Sequence, residues 1–111
     1  MAKFMILYRS SVSAQEQMAS ASPDQAQEGM EMWMRWAEKA GSAVTDLGSP
    51  LGGSRLVPSG ADAQTGTPIA GFSVLEADSA DDVVKLLDDH PHLQAPGSVI
   101  EVLDFLQIPG M

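Results

Sequence analysis

Apolar residues in this chain come in short continuous runs, separated by two stretches with helical spacing. The first run, "KFMILYR" (3–9), ends in an aromatic residue and predicts a strand. Residues 10–21 are rich in Ser, Ala and Gln and read as a loop. "SPDQ" then opens a helix: Ser22 caps, Pro23 suits the first helical position and Gln25 completes a capping box. Ala26, Met30, Trp33, Ala37 and Ala40 recur on one helical face, and Gly41 is a natural stop.

Beyond it, residues 44–47 and 55–57 look like short strands around a Gly/Pro-rich turn, and 58–68 read as a flexible loop. "IAGFSVLEA" (69–77) predicts another strand. "SADD" opens a second helix, with Ser79 as cap and Asp81 and Asp82 favoured in the first turn. Ala80, Val83, Val84 and Leu87 form its expected buried stripe, and Pro91 forbids its continuation. "SVIEVLDFLQI" (98–108) is the last expected strand. The order β-α-β-β-α-β is the ferredoxin-like arrangement, an α+β fold with an antiparallel sheet, here a single domain over residues 1–111.

Two helices cover only one face of such a sheet, yet the strands are apolar on both. Phe4, Ile6 and Tyr8 point one way and Met5 and Leu7 the other. Near the end, Ile100, Val102, Leu106 and Ile108 oppose Val99, Leu103 and Phe105. A sheet with one wet face alternates cleanly, so a second copy of the chain is expected on the uncovered face, making a homodimer.

Composition narrows the function classes. A formal net charge of −9, with only 6 basic residues, disfavours nucleic acid and anionic membranes as partners. The absence of cysteine excludes disulfides and thiol catalysis. The first apolar run is too short for a signal segment, and no stretch is long enough to span a bilayer, so a cytoplasmic location is expected.

Candidate chemistry concentrates in "DDHPHL" (88–93), which holds both histidines of the chain. In an extended x-Pro-x stretch, His90 and His92 project to the same side, placing two acid/base groups in one cleft. The alternative is a histidine that only complements a helix C-terminus. Asp88, Asp89, Glu101 and Asp104 could complete a metal set, but His-x-His alone is a weak signal, and neither metal nor other cofactor is expected. Glu101 and Asp104 stand in an apolar strand, with Arg9 and Arg55 as available partners. Glu101 is therefore a general base, a ligand anchor or half of an ion pair. "MEMWMRW" (30–36) supplies soft, flat side chains. Met30, Trp33 and Trp36 suit a planar ligand, or else core and dimer contact. Tyr8 can offer its hydroxyl to a ligand. His92 and Arg9 join Trp33, Trp36 and Met30 as candidate ligand-binding residues beside the candidate catalytic His90, Tyr8 and Glu101. "GSPLGG" (48–53) could present backbone N–H groups to an anion, but no lysine follows the glycines.

"KFMILY", "AGFSVLEADSADDVVKLL" and "HPHLQAPGSVIEVLDF" together resemble the YCII-related family of the dimeric α/β-barrel superfamily. The chain is also similar to the DGPF branch, although "TGTPIAGF" stands where that tetrapeptide would be. The resemblance implies a homodimer with its sheets face to face and a cleft near the helix ends. It also implies a His–Asp pair, with the His on the first helix and the Asp before the proline after the second. Those positions here fall near Met30 and at His90. Some relatives are linked to lyase or dehydrochlorinase chemistry on small acidic, aromatic-derived molecules. Three functions compete: acid/base lyase or hydrolase chemistry through His90 on a small organic molecule, a non-catalytic ligand-binding or accessory module, and a cofactor-independent monooxygenase-like barrel.

Overall fold

The computed structural model describes residues 1–60 and 67–110. Four strands, β1 (Ala2–Arg9), β2 (Val44–Pro50), β3 (Ile69–Ala77) and β4 (Val99–Asp104), form one antiparallel sheet in the order β2-β3-β1-β4. Among the described residues three α-helices, α1 (Ala14–Ser20), α2 (Pro23–Ala40) and α3 (Ala80–Leu87), join these strands, so the expected α+β, ferredoxin-like order holds. β1 is central and pairs on both sides, with Ile6 opposite Ser73 on β3 and Val102 on β4.

Strict alternation fixes the faces. Phe4, Ile6 and Tyr8 of β1, with Ser73, Leu75 and Ala77 of β3, are buried beneath α2 and α3. Their neighbours Met5, Leu7, Phe72 and Val74 lie on the other face and are only half-buried. β2 is irregular between Asp46 and Ser49, and Gly48 makes that possible. Its φ is +86°, and a Cβ there would run into the Phe72 carbonyl.

α2 begins and ends where the sequence predicts. Ser22 Oγ accepts from the Gln25 N–H, Gln25 Oε1 in turn accepts from the Ser22 N–H, and Gly41 closes the helix. Its buried stripe is rotated from the expected one. Trp36 and Ala40 are buried and Trp33 and Ala37 pack beside them, while Met30 is 63% exposed. The first half of α2 overhangs the sheet and buries nothing. α3 shows the same kind of rotation: Val83 and Leu87 are buried and Leu86 packs beside them, but Val84 faces out.

Other expectations are corrected. Residues 14–20, read as loop, form α1. Ser13 accepts from the Glu16 N–H, and the residues that follow are good helix formers. The helix is hard to see in the pattern because Ala14 is its only buried residue. Residues 55–57 form no strand: Leu56 and Val57 are exposed. The last strand stops at Asp104. Asp104 lies opposite Phe4, and a single further bond, from Phe105 N to Lys3 O, continues the pairing beyond it. Phe105, Leu106 and Ile108 are left exposed. Of the loop expected over 58–68, positions 61–66 lie outside the described residues.

Candidate functional site

At the end of β1, under α2, five rings meet. Tyr8 lies 5.0 Å from Trp33, 4.9 Å from His90 and 5.3 Å from His92, centroid to centroid. His90 sits 4.4 Å from both Trp33 and Trp36. Trp36 is fixed by an Nε1–H bond to the Leu86 carbonyl, 2.9 Å long, which ties α2 to α3.

The histidine segment is not extended as expected. Pro91–Gln94 form a 3₁₀ turn with His90 as its cap, and Pro91 supplies a first position that needs no N–H. His90 Nδ1 accepts from the His92 backbone N–H at 3.0 Å. Burial pushes the His90 pKa down to about 4, helped by the nearby His92 and opposed by Asp89. The ring is therefore neutral near pH 7. With Nδ1 accepting, its proton sits on Nε2, a buried atom with no partner among the described residues. In His92 the other ring nitrogen is engaged. Its Nε2 lies 2.9 Å from the Arg9 carbonyl and, since a carbonyl only accepts, donates to it.

Tyr8 does not offer a free hydroxyl. Ser73 Oγ donates to the Leu47 carbonyl at 2.5 Å, so the Tyr8 O–H, 2.8 Å away, donates to Ser73. Burial pushes the Tyr8 pKa up to about 12, with the Ser73 bond pulling the other way. Ser73 went unnoticed in the sequence. The available signal was a lone hydroxyl among the buried positions of β3.

An open cleft of about 740 Å³ lies beside this cluster, between α1, the overhanging half of α2 and the Pro91–Pro96 segment. Trp33 forms one wall, so the indole stands between the cleft and the imidazole of His90. A smaller cleft of about 230 Å³ lies beyond Met32, lined by Trp36, Arg35 and Lys39. Lys39 pairs there with Asp89, whose pKa is lowered first by that bond.

The structure thus brings Tyr8, Trp33, Trp36, His90 and His92 together. Arg9 and Glu101 lie elsewhere. They project from the other face of the sheet, where Arg9 Nε bonds Glu101 Oε1 at 2.9 Å and Arg9 Nη1 bonds the Thr67 carbonyl. Met30, on the exposed side of α2, does not line the cleft. No group of three or more potential metal ligands occurs among the described residues, and no described helix is long and apolar enough to cross a membrane.

An antiparallel four-stranded sheet covered on one face by helices, with a histidine-bearing turn before its last strand, defines the class. The YCII-related domain model matches residues 2–106, and the chain belongs to that family. A comparison with curated proteins gave no match. Among solved structures, the chain is similar to the 5-chloro-2-hydroxyhydroquinone dehydrochlorinase of Burkholderia phenoliruptrix AC1100 in complex with 2,5-dihydroxybenzoquinone. The two share 20% identity over 89% of this chain and 90% of that one, with a TM-score of 0.44.

Proposed function

We propose that this protein binds a small organic molecule in the cleft beside Trp33, with His90 donating a hydrogen bond to it. The observation that carries this reading is the unpartnered Nε2–H of His90. A buried polar group without a partner costs about 1–3 kcal/mol, and a ligand oxygen would remove that cost. A ligand reaches that atom when the Trp33 indole or the Pro91 turn gives way.

The same geometry divides the roles of the two histidines. His90 is neutral with its lone pair occupied, so it polarises an oxygen rather than removing a proton. His92 Nδ1 forms no hydrogen bond among the described residues, and any acid/base step of lyase or hydrolase type would pass through that atom. Tyr8, committed to Ser73, positions the cluster.

The reading is tested by following the imidazole resonances of both histidines by NMR while benzoate and phenol are titrated in. His90 should shift, and a His90→Phe variant should stay folded and lose the binding. Unchanged His90 resonances with both compounds would refute the assignment.

We also propose a homodimer. The sheet face opposite the helices carries Met5, Leu7, Phe72, Val74, Val99 and Leu103, with Val99 and Leu103 exposed in the single chain. A second copy placing the same face against it would remove this apolar surface from water. Light scattering should give twice the chain mass at micromolar concentration. A stable, natively packed monomer would sink the proposal.

A further inference from the structure

Ser10 and Gly29 are the two cleft residues whose features the fold alone does not explain. Ser10 ends β1 and is 2% exposed, yet it lines the cleft. Its Oγ accepts from the Val12 N–H at 3.1 Å and from Gln17 Nε2 at 3.2 Å. The Gln17 amide cannot be turned over, because the same Nε2 also donates to the Val12 carbonyl at 2.9 Å. A serine hydroxyl has two lone pairs and one proton. Both lone pairs are taken, so the only bond left to Ser10 is one it donates.

Gly29 stands in the interior of α2, where glycine weakens a helix relative to alanine. No positive φ demands it, and no packed neighbour does either: a Cβ built there meets nothing within 4 Å. Its effect is to leave space on the cleft wall. The charge of the lining selects further. It includes the carboxylate of Glu28 and no lysine, arginine or histidine, in a chain of net charge −9. An anionic ligand would meet a like charge with no counter-charge beside it.

We infer that the cleft selects a neutral, planar molecule with a carbonyl-type acceptor oxygen, bound by the Ser10 hydroxyl and admitted by the missing side chain at Gly29. This rests on the proposed ligand-binding function and narrows it, assigning Ser10 and Gly29 as specificity-determining residues.

The test uses three probes of nearly equal size. Acetophenone is neutral with an acceptor oxygen, α-methylstyrene replaces that oxygen by a methylene group, and benzoate adds a charge. Binding is read from the Trp33 indole and His90 resonances of the intact protein. Acetophenone should bind roughly three- to tenfold more tightly than α-methylstyrene, the worth of one hydrogen bond, and benzoate should bind most weakly. Ser10→Ala should abolish the preference between the two neutral probes. Because Ser10→Ala also strands the Val12 N–H, Gly29→Ala provides a variant that folds at least as well. It should raise the thermal midpoint by helix propensity while weakening both neutral probes.

Gly29→Ala binding as the wild type does, a folded Ser10→Ala that keeps the preference, or benzoate binding best would each overturn the inference. If the probes bind and move His90 while neither substitution matters, the ligand-binding function stands and this assignment falls. If acetophenone binds through Ser10 without moving His90, the cleft assignment stands and the role of His90 falls. If none of the probes binds the wild type, both fall.

Discussion

Tyr8 and Arg9 are consecutive residues of β1, and the pleat sends them to opposite faces of the sheet. On the helix side, Tyr8 is closed in by Trp33, His90 and His92, its hydroxyl is committed to Ser73, and burial drives its pKa up to about 12. On the other side Arg9 meets Glu101 in a half-exposed pair, among apolar residues that no described element covers. The first face has its polar groups dehydrated and individually assigned. The second keeps its charges in water and its apolar surface unfinished. Chemistry therefore gathers on the first face and association on the second, and a ligand site combining Tyr8 with Glu101 would have to pass through the sheet.

Core truncation gives the sharpest contrast. Ile6→Ala, at a fully buried position, should cost roughly 2–5 kcal/mol in urea unfolding. Leu7→Ala, one residue on, should cost clearly less in dilute solution. Its effect should grow with protein concentration if that face is an interface. Equal, concentration-independent losses would erase the distinction between the faces.

Acid should attack only the helix side. His90 has a folded pKa near 4 against about 6.5 when unfolded, so the unfolded chain binds the extra proton first. Stability contributed by keeping His90 neutral is present above about pH 6.5 and declines as pH falls toward 4, by roughly 3 kcal/mol in all. Both tryptophans of the chain lie against this ring, so intrinsic fluorescence should titrate near pH 4. His90→Phe should lack that titration and show a correspondingly smaller acid loss.

At the alkaline end, Tyr8 is the only tyrosine, so tyrosinate absorbance reports on it alone. The midpoint should lie near 12, and stability should fall between about pH 10 and 12, where the unfolded chain ionises first. Ser73→Ala, which removes the bond that lowers this pKa, should move the midpoint higher still. A midpoint at the ordinary value near 10 would mean that the cluster is wet.

The smallest effect is expected on the open face. Glu101→Gln, removing one charge of the half-exposed pair, should change stability by less than about 1 kcal/mol, and less again at high salt. A larger loss would show that a partner subunit buries the pair.

The chain by itself determined its elements where local chemistry is self-sufficient. "SPDQ" and Gly41 bound α2 because a cap and a stop act within a turn of themselves. "SADD" starts α3 for the same reason, and alternation in "KFMILY" fixes which β1 residues face the helices. The βαββαβ order follows from those elements, and with it the family resemblance. What the sequence left open depends on where one element lies against another. The rotation of α2 that buries Trp36 and exposes Met30 is set by the sheet beneath it, since both residues have the same apolar character. β4 ends at Asp104, opposite Phe4, although the apolar run continues to Ile108, because a strand lasts only as far as its pairing with the neighbour does. The pairing of Tyr8 with His90 joins residues 82 positions apart and that of Arg9 with Glu101 joins residues 92 apart, so only the folded sheet decides that they lie on different faces. The hydrogen bonding of the two histidines was the least legible of all. Each ring is held by one backbone group, the His92 N–H for His90 and the Arg9 carbonyl for His92, whose position no side-chain pattern encodes.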